Sequence, residues 1–123
     1  LDKKKILYVQ TSGQGEPRKL YAPFILAQIA VDSNIEPTIY FLGEGIQVVR
    51  KGIPDKIKLG NFDVLKNVID RTVKRGVKLL VCSHSMKAWG EYLTPDDFVE
   101  GTEVVEASTL NNLVLEYDGT MWF

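Results

Sequence analysis

Apolar residues fall along this chain in short unbroken runs, separated by stretches in which they recur every three or four positions. Residues 6–10, 37–42 and 77–82 are the runs, and each is read as a strand buried on both faces. Between the first two, Leu20, Tyr21, Phe24, Ile25, Ala27, Ile29 and Val31 predict a helix with Pro23 in its first turn, where a missing N–H costs little. A helix starting near Arg18 and kinked at Pro23 is the alternative. Gly43-Glu44-Gly45 reads as a turn, followed by a short helix over 46–51 that stops at Gly52. Phe62, Leu65, Val68, Ile69, Thr72 and Val73 predict an amphipathic helix, N-capped by Asn61 and closed by Gly76. Met86 to Trp89 suit a helix that Gly90 closes in a left-handed conformation. Thr94-Pro95-Asp96-Asp97 is a cap, a first-turn proline and two acids, so a short helical turn is expected. A weaker fourth strand covers 103–106. A last helix opens at Ala107-Ser108-Thr109, and Asp118-Gly119 turns the chain into a fifth strand over 120–123.

Strands alternating with helices imply right-handed crossovers and a three-layer α/β/α fold, with a mostly parallel five-stranded sheet of flavodoxin-like type. At 123 residues this reads as one domain, 1–123. In such sheets, sites form beyond the carboxyl ends of the strands. The loop 11–17, the turn 43–45, the segment 82–86 and residues 107–109 are expected to converge there.

Composition narrows the functional classes. Charged residues make up 25% of the chain and the formal net charge is −1, which argues against a nucleic-acid partner. No apolar run approaches a membrane span, and no signal-peptide pattern opens the sequence. Leu1 is not an initiator methionine, which leaves open whether residues precede it. One cysteine excludes an internal disulfide and fits a reducing, cytoplasmic setting. Met121-Trp122-Phe123 is an apolar end expected to be buried in a strand or an interface.

That one cysteine, Cys82, falls where the central strand gives way to a helix. Unpaired N–H groups at a helix start favour an anion, and thiols so placed have pKa values lowered from about 8.5 to roughly 3.5–7.5. The expectation is an exposed, reactive thiolate; the plainer reading is a buried structural cysteine. Ser83 and Ser85 are expected to cap the helix and to offer hydroxyls to a sulfur-bound group. His84, the one histidine, is a candidate for stabilising the thiolate or holding an anion, unless its side chain points elsewhere. Met86 and Trp89 are read as packing residues. Gly13 and Gly15 follow the first strand as in phosphate-binding loops, but Arg18 stands where a dinucleotide fingerprint needs its third glycine. The plainer reading is a flexible loop bordering the thiol. Arg50, Lys51, Lys56 and Lys58 form a basic run that either docks an acidic partner or is a solvated loop. One cysteine and one histidine two residues apart make at most half a metal site, so no metal and no cofactor are expected.

The segment Cys82-Ser83-His84-Ser85-Met86, with Gly90 eight residues after the cysteine, resembles the DsrE/DsrF-like family of sulfur-relay proteins. The subgroup nearest in pattern, often labelled peroxiredoxin-like, ends a strand in a cysteine and follows it with a Ser-Met pair and a glycine. Leu93, the polar turn, Gly101 to Val105 and Ala107 to Leu110 are similar to that family's second half. The resemblance implies a sulfurtransferase-type carrier that holds a persulfide or thiosulfonate on Cys82. It also implies donor and acceptor proteins with reactive cysteines, and a homo-oligomer, commonly a trimer or hexamer. Ser83, His84, Ser85, Gly13, Gly15 and Ser108 are the accompanying binding candidates. His84 and Trp89 depart from relatives that carry small residues and paired arginines after the cysteine. Leu79 stands where true peroxiredoxins have a threonine. Two rivals stay open: a module for a small anion or nucleotide, and a structural subunit in which Cys82 is buried and inert.

Overall fold

The computed structural model describes residues 3–89 and 92–123. The apolar runs form the strands β1 (Lys5–Gln10), β2 (Glu36–Phe41) and β3 (Lys78–Cys82), joined by β4 (Thr102–Val105) and β5 (Gly119–Trp122). All pair in parallel, in the order β4-β3-β2-β1-β5. The fold is therefore the expected three-layer α/β class with a wholly parallel sheet, though its strand order is not the 2-1-3-4-5 of flavodoxin itself.

Pairing register decides which side chains share a face. One face carries Tyr8, Ile39, Phe41, Leu79 and Val81. It is covered by α1 (Ala22–Asp32), the 3₁₀ helix Gly43–Val49 and α2 (Leu65–Lys74). The other carries Leu7, Val9, Tyr40, Leu80 and Cys82, under Leu110 of α4 (Ala107–Glu116). The first three crossovers step in one direction across the sheet and only the β4–β5 crossover runs back. With right-handed connections, α4 alone then lies on the second face.

Most local expectations hold. Pro23 sits in the first turn of α1, Gly76 closes α2 at φ 83°, and the side chain of Asp97 reaches back to the Thr94 N–H at 2.7 Å. Others need correction. The short helix after β2 starts at Gly43 rather than after the turn, and is 3₁₀. Asn61 does not cap α2, which begins four residues later. Tyr21 is the reason: its hydroxyl donates to the Asp63 carbonyl at 2.7 Å and its ring stacks on Phe62 at 4.9 Å, pinning 62–63 outside the helix. The Asp63 carboxylate then takes the Val64 N–H at 2.7 Å. At the apolar end, Phe123 packs on Tyr8, but Trp122 is 52% exposed. The expected cap Gly90 lies outside the described residues.

Candidate functional site: a buried thiol at a strand–helix junction

β3 ends at Cys82 and α3 (Ser83–Trp89) begins at the next residue. The backbone N–H groups of His84 and Ser85 therefore have no helical acceptor ahead of them, and both favour negative charge on the Cys82 sulfur. The hydroxyls of Ser85 and Tyr40 act on the same sulfur in the same direction. Burial pushes the thiol's pKa up, but the donors gathered around the sulfur outweigh it and leave the thiol below its ordinary value. The Ser85 hydroxyl is itself held from behind, accepting the Gly43 N–H at 2.8 Å. The start of the 3₁₀ helix is thus tied to the site. Tyr40 is fully buried and its hydroxyl donates to the Glu106 carbonyl at 3.1 Å. Burial first, then the sulfur beside it, pushes its phenol far above the usual range.

The expected exposed thiol is not what the fold provides: Cys82 is 1% exposed. It points to the α4 face, among Leu80, Tyr40 and Leu110, with Val105 opposite it on β4. The amide cradle is present, and the opening to solvent is not.

The other candidates separate into three groups. Ser85 joins Cys82, but as a direct partner of the sulfur rather than as a cap. His84 contributes its backbone N–H, while its side chain is exposed. Ser83 is the first residue of α3 and is half-buried. Ser108 lies at the start of α4, where its hydroxyl contacts the Glu106 carboxylate at 3.4 Å. Gly13 and Gly15 are elsewhere. They line a cleft of about 450 Å³ with Glu44, Gln47, Arg50 and Trp89, and Cys82 does not border it. Trp89, read as a packing residue, is 38% exposed there, while Met86 is in the core as expected. Arg50 is braced by Gln47 at 3.0 Å. Among the described residues, no group of three or more His, Cys, Asp or Glu is placed to hold a metal ion. No described helix is long and apolar enough to cross a membrane.

Tyr40 and Gly43 were not among the sequence candidates. Tyr40 was legible in principle. Strand alternation puts it on the Cys82 face once β2 is known to neighbour β3, because Tyr40 pairs with Leu80 and Cys82 is two residues on.

An all-parallel α/β sheet with one thiol cradled by amides at a strand–helix junction defines a class of small α/β proteins. Within it, the family model described as "DsrE/DsrF-like family" matches residues 4–123, and the chain belongs to that family, which is associated with sulfur relay. An uncharacterized protein of Methanocaldococcus jannaschii, MJ0760, is 31% identical over 108 residues, 88% of this chain. The matched part is 38% of that relative's length. A second uncharacterized protein, MK0008 of Methanopyrus kandleri, is 26% identical over 106 residues, covering 85% of this chain and 82% of its own. Two solved structures are similar in fold. The ychN protein from E. coli has a TM-score of 0.74 at 17% identity, covering 98% of this chain and 99% of its own. MTH1491 of Methanobacterium thermoautotrophicum, a protein of unknown function, has a TM-score of 0.70 at 15% identity, covering 99% and 100%.

Proposed function

We propose that the chain is a single DsrE/DsrF-like domain that carries sulfur on Cys82 within a relay, in a reducing compartment such as the cytoplasm. The observation that carries this reading is the place of the one cysteine at the junction of β3 and α3, where neighbouring amides and hydroxyls hold its thiol pKa below the ordinary value despite burial. Transfer requires a thiolate that is both ionised and able to leave, and a lowered thiol pKa serves both needs. In the first step the Cys82 thiolate attacks a donor's sulfane sulfur. A new S–S bond forms, the donor's S–S bond breaks, and the donor departs as an anion. In the second, an acceptor thiolate attacks the terminal sulfur of the Cys82 persulfide, and the Cys82 thiolate leaves. The chemistry is a half-reaction on each partner and calls on no cofactor. Donor and acceptor are proteins with reactive cysteines. A trimeric or hexameric homo-oligomer fits the exposure of Leu115, Trp122 and Met121.

The 1% exposure of Cys82 favours a second reading, a structural subunit whose thiol is inert. Intact-mass measurement after incubation with polysulfide or tetrathionate separates the two. The carrier gains sulfane sulfur on the wild type, reversed by a small thiol and absent from Cys82→Ser. A wild-type mass that does not change, with the protein folded, supports the structural subunit instead.

A further inference from the structure

The Tyr40 ring starts on β2, and its hydroxyl ends 3.1 Å from the Glu106 carbonyl, one residue past β4. β3 lies between those two strands. The side chain therefore spans β3, and the β3 residue paired with the end of β4 is Cys82, opposite Val105. One O–H thus faces two acceptors: the backbone oxygen of Glu106 and the sulfur. A neutral S–H is a weak acceptor and can itself donate to the phenol oxygen, leaving the Tyr40 proton with Glu106. An anionic sulfur competes strongly, because hydrogen bonds to charged groups are about twice as strong as neutral ones.

We propose that Tyr40 is a positioning residue that reads the charge on the Cys82 sulfur and reports it to the start of α4. Its hydroxyl is held by Glu106 while the thiol is neutral and turns to the sulfur when that atom is a thiolate or persulfide. Glu106 is the residue from which α4 departs, and it has no side-chain cap bond. Leu110, in the next turn of that helix, packs in the cluster that encloses Cys82. The Glu106 carbonyl also accepts the Thr109 N–H at 3.1 Å, so the turn of the Tyr40 hydroxyl leaves α4 intact but removes the tie between its start and β2, loosening the segment over the thiol in the state in which a partner has to reach it. The inference rests on the reading of Cys82 as an ionising thiol, and it supplies a route to an atom that the closed structure encloses.

The ionisable groups on the surrounding elements are Tyr40 on β2, Lys78 and Cys82 on β3, His84 and Lys87 on α3, Glu103 and Glu106 at β4, and Glu116 and Tyr117 at the end of α4. The test must single out the thiol. Glu106-Ala107 is the one Glu-Ala pair in the sequence, so carbonyl-labelled Glu with amide-labelled Ala gives a single NMR correlation for that bond. In the wild type this correlation should shift with pH at the midpoint of the Cys82 thiolate ultraviolet absorbance. It should stay fixed over that range in Cys82→Ser, which keeps His84 and every carboxylate. In Tyr40→Phe it should not follow the thiol either, and the thiolate midpoint should rise by about one pH unit. A wild-type correlation that stays put while the thiolate forms, or one that still moves in Cys82→Ser, overturns the proposal. The wild type and Cys82→Ser decide it even if Tyr40→Phe does not fold. Failure of the carrier reading shows separately, as an absent sulfur adduct on a thiol whose ionisation still moves Glu106.

Discussion

Gly45→Ala is expected to lower the thermal midpoint by about 10 °C or more, a loss of roughly 3 kcal/mol. A Cβ at this position would stand 1.8 Å from the Gln10 carbonyl oxygen and 2.7 Å from its carbon. Both are backbone atoms, and neither can yield easily. Gln10 ends β1, which lies between β2 and β5, and its carbonyl accepts the Leu42 N–H at 3.0 Å. Relief has to come from lifting the 3₁₀ helix off the sheet. That helix begins at Gly43, whose N–H holds the Ser85 hydroxyl, so the thiol site loosens with it. Gly15→Ala is the control, because nothing lies within 4 Å of a Cβ there. Thermal unfolding of the two variants side by side checks the argument. Equal midpoints would mean that the close approach of Gly45 to β1 is not what holds this corner together.

Ser85→Ala is expected to raise the Cys82 thiolate midpoint by about one to two pH units, the equivalent of one hydrogen bond to a charged group. It also leaves the Gly43 N–H without its partner. The sign of the stability effect follows from linkage. In the wild type the folded-state thiol pKa lies below the unfolded one. The unfolded chain therefore binds more protons between those two values, and stability rises with pH across that window. The contribution is fully present above the unfolded thiol pKa, near 8.5, and is lost as pH falls through the folded value. In Ser85→Ala the window narrows or closes. Urea midpoints taken from neutral pH to about 9 should climb for the wild type and stay flatter for the variant. A parallel pair of curves would remove Ser85 from the thiol's electrostatics.

Much of the fold could be read from the spacing of apolar residues, because period two and period three-to-four are set by backbone geometry alone. Residues 77–82 and the cap at Gly76 are examples: the run, the helix before it and the glycine between them each point to the same boundary. Asn61 failed because a good capping residue was overruled by a distant side chain. Tyr21, forty residues earlier, anchors Phe62 and Asp63 and fixes where α2 starts. Strand order was beyond reach for a similar reason, since parity along one strand carries no information on its neighbours.

For the site, local sequence located the sulfur and its amides, which lie within three residues of one another. It could not see Tyr40, which comes from another strand, nor the cover that α4 places over Cys82. Both depend on which strands are adjacent and on which face the last helix crosses. The Gly13–Gly15 loop shows the converse. It gathers near the strand ends as expected, yet opens on the cleft with Arg50 and Trp89 rather than on the thiol.

The central claim is that peptide amides and neighbouring hydroxyls hold the pKa of an enclosed thiol below its ordinary value. Its most direct test is the ultraviolet absorbance of the thiolate in the folded wild type as a function of pH, with Cys82→Ser subtracted so that tyrosine ionisation cancels. This readout needs no reagent to reach the buried atom. The account predicts a midpoint clearly below the ordinary thiol value of about 8.5. A midpoint at or above that value would contradict it, because burial would then have prevailed over the donors around the sulfur.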